Sequence, residues 1–135
     1  VVPAELWEDC GAGELFRQNF WIGPPGKSSP LHRDPFQNVF VQLRGAKTAL
    51  LADASLSPQL RLLPAPQDNT SGIDFASFGG DLVRASAVLG LEPGDERICA
   101  AQLDAGDALF IPKGLFHFFQ GQGTECTAAV NFWFL

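Results

Sequence analysis

The sequence predicts an all-β domain, and three observations carry that prediction. Short runs rich in Phe, Val, Ile and Leu recur along the 135-residue chain, many at the spacing of roughly 8–12 residues that sandwiches and barrels show. Turn formers punctuate them: 14 Gly and 10 Pro, residues that supply tight turns and interrupt helices. Hydrophobic residues make up 46% of the chain and charged ones 18%, the balance of a chain that buries a core. At this length one core is expected, and so a single domain over residues 1–135.

The elements follow in order. Residues 1–17 form an irregular or short helical lead-in, broken by Pro3 and the Gly-Ala-Gly at 11–13. "NFWIG" (19–23) is an aromatic and β-branched strand closed by Gly-Pro-Pro-Gly, and "SPLHRD" (29–34) is an extended segment ended by Pro35, so the two are expected to lie side by side. "QNVFVQL" (37–43) and "AKTALLA" (46–52) flank Arg44-Gly45, which predicts a hairpin. Residues 53–95 are loop-rich, with helical turns expected around 81–89, and form an insert between two halves of a sheet. Strands return with "RICAAQL" (97–103), "ALFIP" (108–112), "LFHFFQG" (115–121) and "CTAAVNFWFL" (126–135). About eight short strands make a double-sheet jelly roll the expected architecture.

Charge and cysteine content narrow the function classes. A net charge of −6 argues against direct binding of nucleic acid, which needs a Lys/Arg surface; it suits a basic polypeptide partner or simply solubility. Cys10, Cys99 and Cys126 are widely spaced, so neither a disulfide framework nor a cysteine zinc site is expected, and free thiols point to an intracellular compartment, cytoplasmic or nuclear. No apolar run reaches membrane-spanning length and the first residues lack the order of a signal peptide. The chain has no Met, which points to a segment preceding Val1.

Polar residues interrupt the apolar runs. Side chains alternate across a strand, so His32 and Asp34 share a face and form a two-toothed chelate suited to Fe(II), Mn(II) or a similar ion. The only other histidine, His117, sits inside an aromatic run and would complete a facial triad with open positions; the bland alternative is a satisfied core histidine. Asn38 shares parity with Phe40 and Gln42, and Lys47 with Ala49 and Leu51. An ammonium on an inward face needs an anion, and a bound dicarboxylate, helped by the Ser29 hydroxyl, would meet that need. Lys47 reaching out to the barrel mouth is the competing possibility. Asn131, in a very apolar terminal strand, is a candidate to bond a co-substrate, to support a metal ligand, or to satisfy a backbone group.

These stretches, "WIGPPGKSSPLHRDPFQNVFVQLRGAK" (21–47), "GDALFIPKGLFH" (106–117) and "VNFW" (130–133), resemble the Jumonji-C (JmjC) branch of the 2-oxoglutarate-dependent oxygenases. Within it the chain is most similar to the small JmjC-only protein hydroxylases of the Jumonji domain-containing protein five kind. The likeness runs from about Phe20 to Phe134 and is weak across the insert.

The resemblance implies a double-stranded β-helix, or cupin barrel, in which His32, Asp34 and His117 hold Fe(II). It implies that Lys47 and Ser29 hold the distal carboxylate of 2-oxoglutarate, with Asn38 near its metal-chelating end; Asn131 stays a candidate co-substrate contact on its position alone. Trp21 and Trp133 match aromatic positions on the cavity wall and are candidate substrate contacts. The implied activity consumes O2 and 2-oxoglutarate, releases succinate and CO2, and hydroxylates a protein side chain such as Arg, Lys or Asn; a monomer is favoured. The chain departs from the family in its short lead-in, in ending at the last barrel strand and in lacking tyrosine. A catalytically silent barrel serving as a binding module, an N-methyl-lysine demethylase and a metal cupin of another class are the alternatives.

Overall fold

In the computed structural model, residues 14–135 are described; the first part of the lead-in and Cys10 lie outside the described residues. The described residues form seven strands: β1 (Leu15–Gly23), β2 (Gln37–Arg44), β3 (Ala46–Ala52), β4 (Ile98–Leu103), β5 (Ala108–Ile111), β6 (Phe116–Gln122) and β7 (Thr127–Phe134). They form two antiparallel sheets, β1-β7-β2-β5 and β4-β3-β6. The all-β jelly-roll expectation therefore holds, and three local expectations change.

The first change concerns the predicted hairpin. β2 pairs with β5 and β7, whereas β3 pairs with β4 and β6, so the two strands belong to different sheets. At the junction the Gln42 side chain donates its Nε2 to the carbonyls of Arg44 and Gly45, at 2.7 and 3.3 Å, and is fully buried. Gly45 has φ +66°, and a Cβ there would meet Thr127 Cγ2 at 3.1 Å. A kink held by an amide carries the chain across the barrel, where a two-residue turn would have folded it back.

Second, residues 29–34 form no named strand. The segment pairs only through single bridges, Ser28 with Gln120 and His32 with both His117 and Thr70. It thus flanks β6 of the smaller sheet, while β1 pairs with β7 of the larger one, and the two are not neighbours in one sheet. The turn between them is built by Pro25 and by Gly26 at φ +74°, closed by Lys27 N–H donating to the Pro24 carbonyl. Third, β1 begins at Leu15, inside what the sequence suggested was lead-in.

The insert covers one face of the smaller sheet. Its segments start at aspartate caps: Asp53 and Asp74 for 3-10 turns at Ala54–Leu56 and Phe75–Phe78, and Asp81 for the helix α1 (Leu82–Val88). Leu56, Leu60, Phe75, Ala85 and Leu89 from this insert pack on Leu50, Ala52, Ile98, Phe116 and Phe118. Each large buried side chain of this kind contributes about 1.5–3 kcal/mol. A second core, Phe40, Ala49, Leu103, Ile111, Phe119 and Ala129, fills the space between the sheets. Along β6 the alternation is strict: Phe116 and Phe118 face the insert, His117 and Phe119 face the barrel.

Candidate metal centre and its cavity

His32 and His117 are placed by backbone pairing. His117 N–H donates to the His32 carbonyl at 2.7 Å and His32 N–H donates to the His117 carbonyl at 3.0 Å. Asp34 is tied to the same end of the barrel by Gly114 N–H, which donates to its carbonyl at 3.0 Å. The three side chains then converge: Asp34 Oδ2 lies 3.5 Å from His117 Nε2 and 3.9 Å from His32 Nε2. Their ligand atoms all fall within 4.8 Å of one another.

Each imidazole is oriented from behind. His32 Nδ1 lies 2.9 Å from the Pro30 carbonyl and His117 Nδ1 lies 3.0 Å from the Leu115 carbonyl. A carbonyl only accepts, so Nδ1 carries a proton in both rings; once Nε2 gives up any proton it shares with Asp34, each ring would turn a lone pair to the common point. Electrostatics agree. Burial, joined by the neighbouring His117, pushes the His32 imidazole below its usual pKa. Burial would raise the Asp34 carboxyl, but the hydrogen bond and charge of His117, with His32, hold it below the usual carboxylate range. A neutral imidazole at His32 and an ionised carboxylate at Asp34 are the forms that bind a divalent ion.

These groups open on a cavity of 490 Å³ that runs into the barrel, and every residue singled out from the sequence lines it: Ser29, His32, Asp34, Asn38, Lys47, His117, Asn131, Trp21 and Trp133. Lys47 is half-buried on β3, opposite Gly121 and Leu103. Its Nζ sits 5.1 Å from the centre of the Phe40 ring, and burial lowers its pKa. No carboxylate pairs with it among the described residues. Ser29 Oγ accepts the N–H of Phe119 at 3.0 Å, which leaves its own hydrogen to donate. Among the described residues, Lys27 and Lys47 are the cations of the lining and Asp34 its only carboxylate.

The structure adds residues that sequence reasoning passed over. Thr127 lines the cavity, is 3% exposed and shares parity with Asn131 and Trp133 on β7; that parity was the signal available. Trp133 stacks on Phe36 at 5.4 Å, and Phe36 on Phe16 at 4.4 Å. Asn19 reaches Asn131 from β1, a contact with no local trace in the sequence.

Comparison with known proteins places this geometry. A family model described as a cupin-like domain matches residues 4–135. The chain belongs to the cupin-like domain family. Among curated proteins, this cupin-like chain is 35% identical over 126 residues to "Lysine-specific demethylase JMJ31" of Arabidopsis thaliana, covering 90% of the chain and 21% of that protein. It is 25% identical to the human "Bifunctional peptidase and (3S)-lysyl hydroxylase JMJD7", covering 86% of the chain and 40% of that protein. These JmjC relatives bear out the resemblance carried by the motifs, and the chain spans well under half of the length of each. Among solved structures, the dTDP-4-dehydrorhamnose 3,5-epimerase of Elizabethkingia anophelis superposes with a TM-score of 0.56 at 13% identity, over 97% of this chain and 57% of that one. At that identity the likeness is one of fold.

Proposed function

We propose that the domain is an Fe(II)- and 2-oxoglutarate-dependent oxygenase that hydroxylates a side chain of a protein or peptide, with Arg, Lys and Asn as candidates. One observation supports this above the others. A two-histidine, one-carboxylate set and an ammonium with no anionic partner among the described residues line one cavity. The donor set fits: two imidazole nitrogens and one carboxylate oxygen on one side of a point suit Fe(II) and leave coordination positions open. The co-substrate also fits, because a dicarboxylate supplies the anion that Lys47 lacks.

In this reading His32, Asp34 and His117 would hold the metal, and Lys47 and Ser29 would hold the distal carboxylate, the ammonium by charge and the hydroxyl by its free hydrogen. Fe(II), when bound, would supply O2 activation and the oxidising power for C–H hydroxylation, with succinate and CO2 as co-products. The chain contributes placement and a partly water-excluding wall: Phe40 and Phe119 stack at 4.2 Å in the barrel beside the cavity.

Anaerobic Fe(II) titration followed by 2-oxoglutarate tests the proposal. A visible metal-to-ligand charge-transfer band is expected, and a folded, iron-loaded protein without it would sink the idea. Lysine demethylation is the second reading, favoured by the names of the plant relatives. Formaldehyde release from a methyl-lysine peptide, against a 16 Da gain on an unmodified one (the mass of one oxygen atom, about 16 Da in any hydroxylation), separates the two.

A further inference from the structure

Three strands of the larger sheet contribute a chain of side-chain hydrogen bonds in the wall of the cavity that the metal-site candidates line. Trp21 Nε1 donates to Asn131 Oδ1 at 2.9 Å, and Asn19 Nδ2 donates to the same oxygen at 3.2 Å. Asn131 Nδ2 in turn donates to Asn38 Oδ1 at 3.0 Å. Asn131 and Asn38 are 2% and 3% exposed, so these bonds form in a poorly solvated wall. Among the described residues Asn38 Nδ2 has no partner, and Asn38 lines the cavity.

The members differ in one chemical respect. An asparagine amide presents either its oxygen or its nitrogen after a half-turn about its terminal bond, whereas an indole nitrogen is a donor only. Asn19 is itself an amide and can follow either arrangement of its neighbour. Trp21 cannot. It requires the oxygen of Asn131 to face it, which turns the Asn131 nitrogen towards Asn38. Asn38 must then answer with its oxygen, and its N–H2 is left for the cavity.

We propose that Trp21 is a positioning residue that sets, through Asn131, the polarity of Asn38. The Asn38 amide therefore offers N–H donors, and not its own carbonyl oxygen, to an acceptor-rich ligand group in the cavity. In the oxygenase reading, on which the identity of the ligand rests, that group is the keto-carboxylate end of 2-oxoglutarate. The pairing of donor-only indole with two buried amides makes the selection stiff: turning Asn131 and Asn38 over together costs the Trp21 bond, and turning Asn38 alone costs its buried bond to Asn131. Trp21, 49% exposed, thus acts on the ligand from the rim without touching the reacting atoms.

The experiment uses the full chain without metal for the first measurement and with Mn(II) and 2-oxoglutarate for the second. Nitrogen-resolved NMR of the side-chain amides reads the state of Asn38, and calorimetry reads the affinity. In Trp21→Phe the aromatic wall stays and the fixed donor goes. A second set of Asn38 amide signals is expected, with affinity weaker by about 2- to 12-fold, the equivalent of one hydrogen bond. Asn131→Asp adds a second probe: its outer oxygen still accepts from Trp21, its inner one can only accept, and Asn38 must turn over completely. One shifted set of Asn38 signals and a larger loss of affinity are expected there.

Unchanged Asn38 signals in both variants overturn the proposal. A loss of affinity in Trp21→Phe without any change at Asn38 overturns it as well, since Trp21 would then contact the ligand directly. Changed signals with unchanged affinity overturn the link between Asn38 polarity and the ligand. If the wild-type protein binds no 2-oxoglutarate, the oxygenase reading fails while the NMR comparison still decides the relay.

Discussion

His32 and His117 exchange both of their backbone hydrogen bonds, at 2.7 and 3.0 Å, and their ring centroids stand 4.4 Å apart. Residues that face one another in this way in an antiparallel pair project their side chains to the same side. The backbone therefore brings the two imidazoles together without an ion, and the candidate metal site is preorganised by pairing of the main chain.

Because this pairing does not use the side chains, His117→Ala is expected to fold while losing divalent-metal binding. A divalent ion that binds only the folded state at about 100 times its Kd stabilises it by about 2.7 kcal/mol. Thermal unfolding with and without Mn(II) checks this. The wild-type protein should gain stability from the ion, and His32→Ala and His117→Ala should not; an equal shift in all three would place the ion elsewhere.

Lys47→Met keeps the aliphatic stem over Phe40 and removes the charge. Stability is expected to hold or rise, since a half-buried ammonium without an anion is a cost, while 2-oxoglutarate affinity falls by about 10- to 150-fold, the equivalent of a charged hydrogen bond. Retained affinity would remove Lys47 from the site.

The pH dependence follows from the same residue. Burial sets the Lys47 pKa below its ordinary 10.5, so between the two values the unfolded chain holds a proton that the folded chain has released. Stability of the ligand-free protein should therefore rise with pH across that window and fall as pH drops through the folded pKa. Binding of 2-oxoglutarate, which needs the charged ammonium, should weaken in the same upward direction. Calorimetry at several pH values in the alkaline range reads both trends, and parallel trends would contradict the assignment.

Gln42→Leu removes the amide that satisfies the Arg44 and Gly45 carbonyls. Losing partners for buried groups costs about 1–3 kcal/mol. Gln42 Oε1 is itself buried without a partner, and its removal offsets part of that cost, so the lower end is expected in denaturant unfolding. Affinity for 2-oxoglutarate should fall too, because this kink leads directly into Lys47. A variant as tight and as stable as the wild type would show that Gly45 alone makes the crossing.

Gly80→Ala tests how the insert docks. Its φ is +80°, and a Cβ would lie 2.5 Å from Thr48 Cγ2. Backbone strain alone costs about 1–3 kcal/mol, with a clash added. The Gly80→Ala/Thr48→Ala pair should relieve the Cγ2 contact, leave Thr48 Cβ at 2.9 Å and keep the strain, so a double-mutant cycle in urea should give partial recovery and a non-zero coupling. Additive effects would show that the two surfaces do not meet.

Much of this was legible in the chain because it rests on alternation. Along β6, Phe116 and Phe118 against His117 and Phe119 follow from the period of a strand, and a chain with only His32 and His117 as histidines leaves little choice of imidazole ligands. The Arg44-Gly45 junction misled, since a polar residue and a glycine at positive φ serve a hairpin turn and a crossing between sheets equally well. What separates the two is the Gln42 amide beneath them, whose burial depends on β7 and β5.

By itself, then, the sequence determined the class of fold, the runs that become strands and the candidate residues for a metal and a dicarboxylate, because side-chain chemistry and local periodicity are properties of neighbours in the chain. Tertiary structure alone decided which sheet each strand joins, that His32 faces His117, and which end of Asn38 meets the cavity. Those outcomes depend on hydrogen bonds between strands remote in sequence, and for Asn38 on the fact that Trp21, two strands away, can only donate.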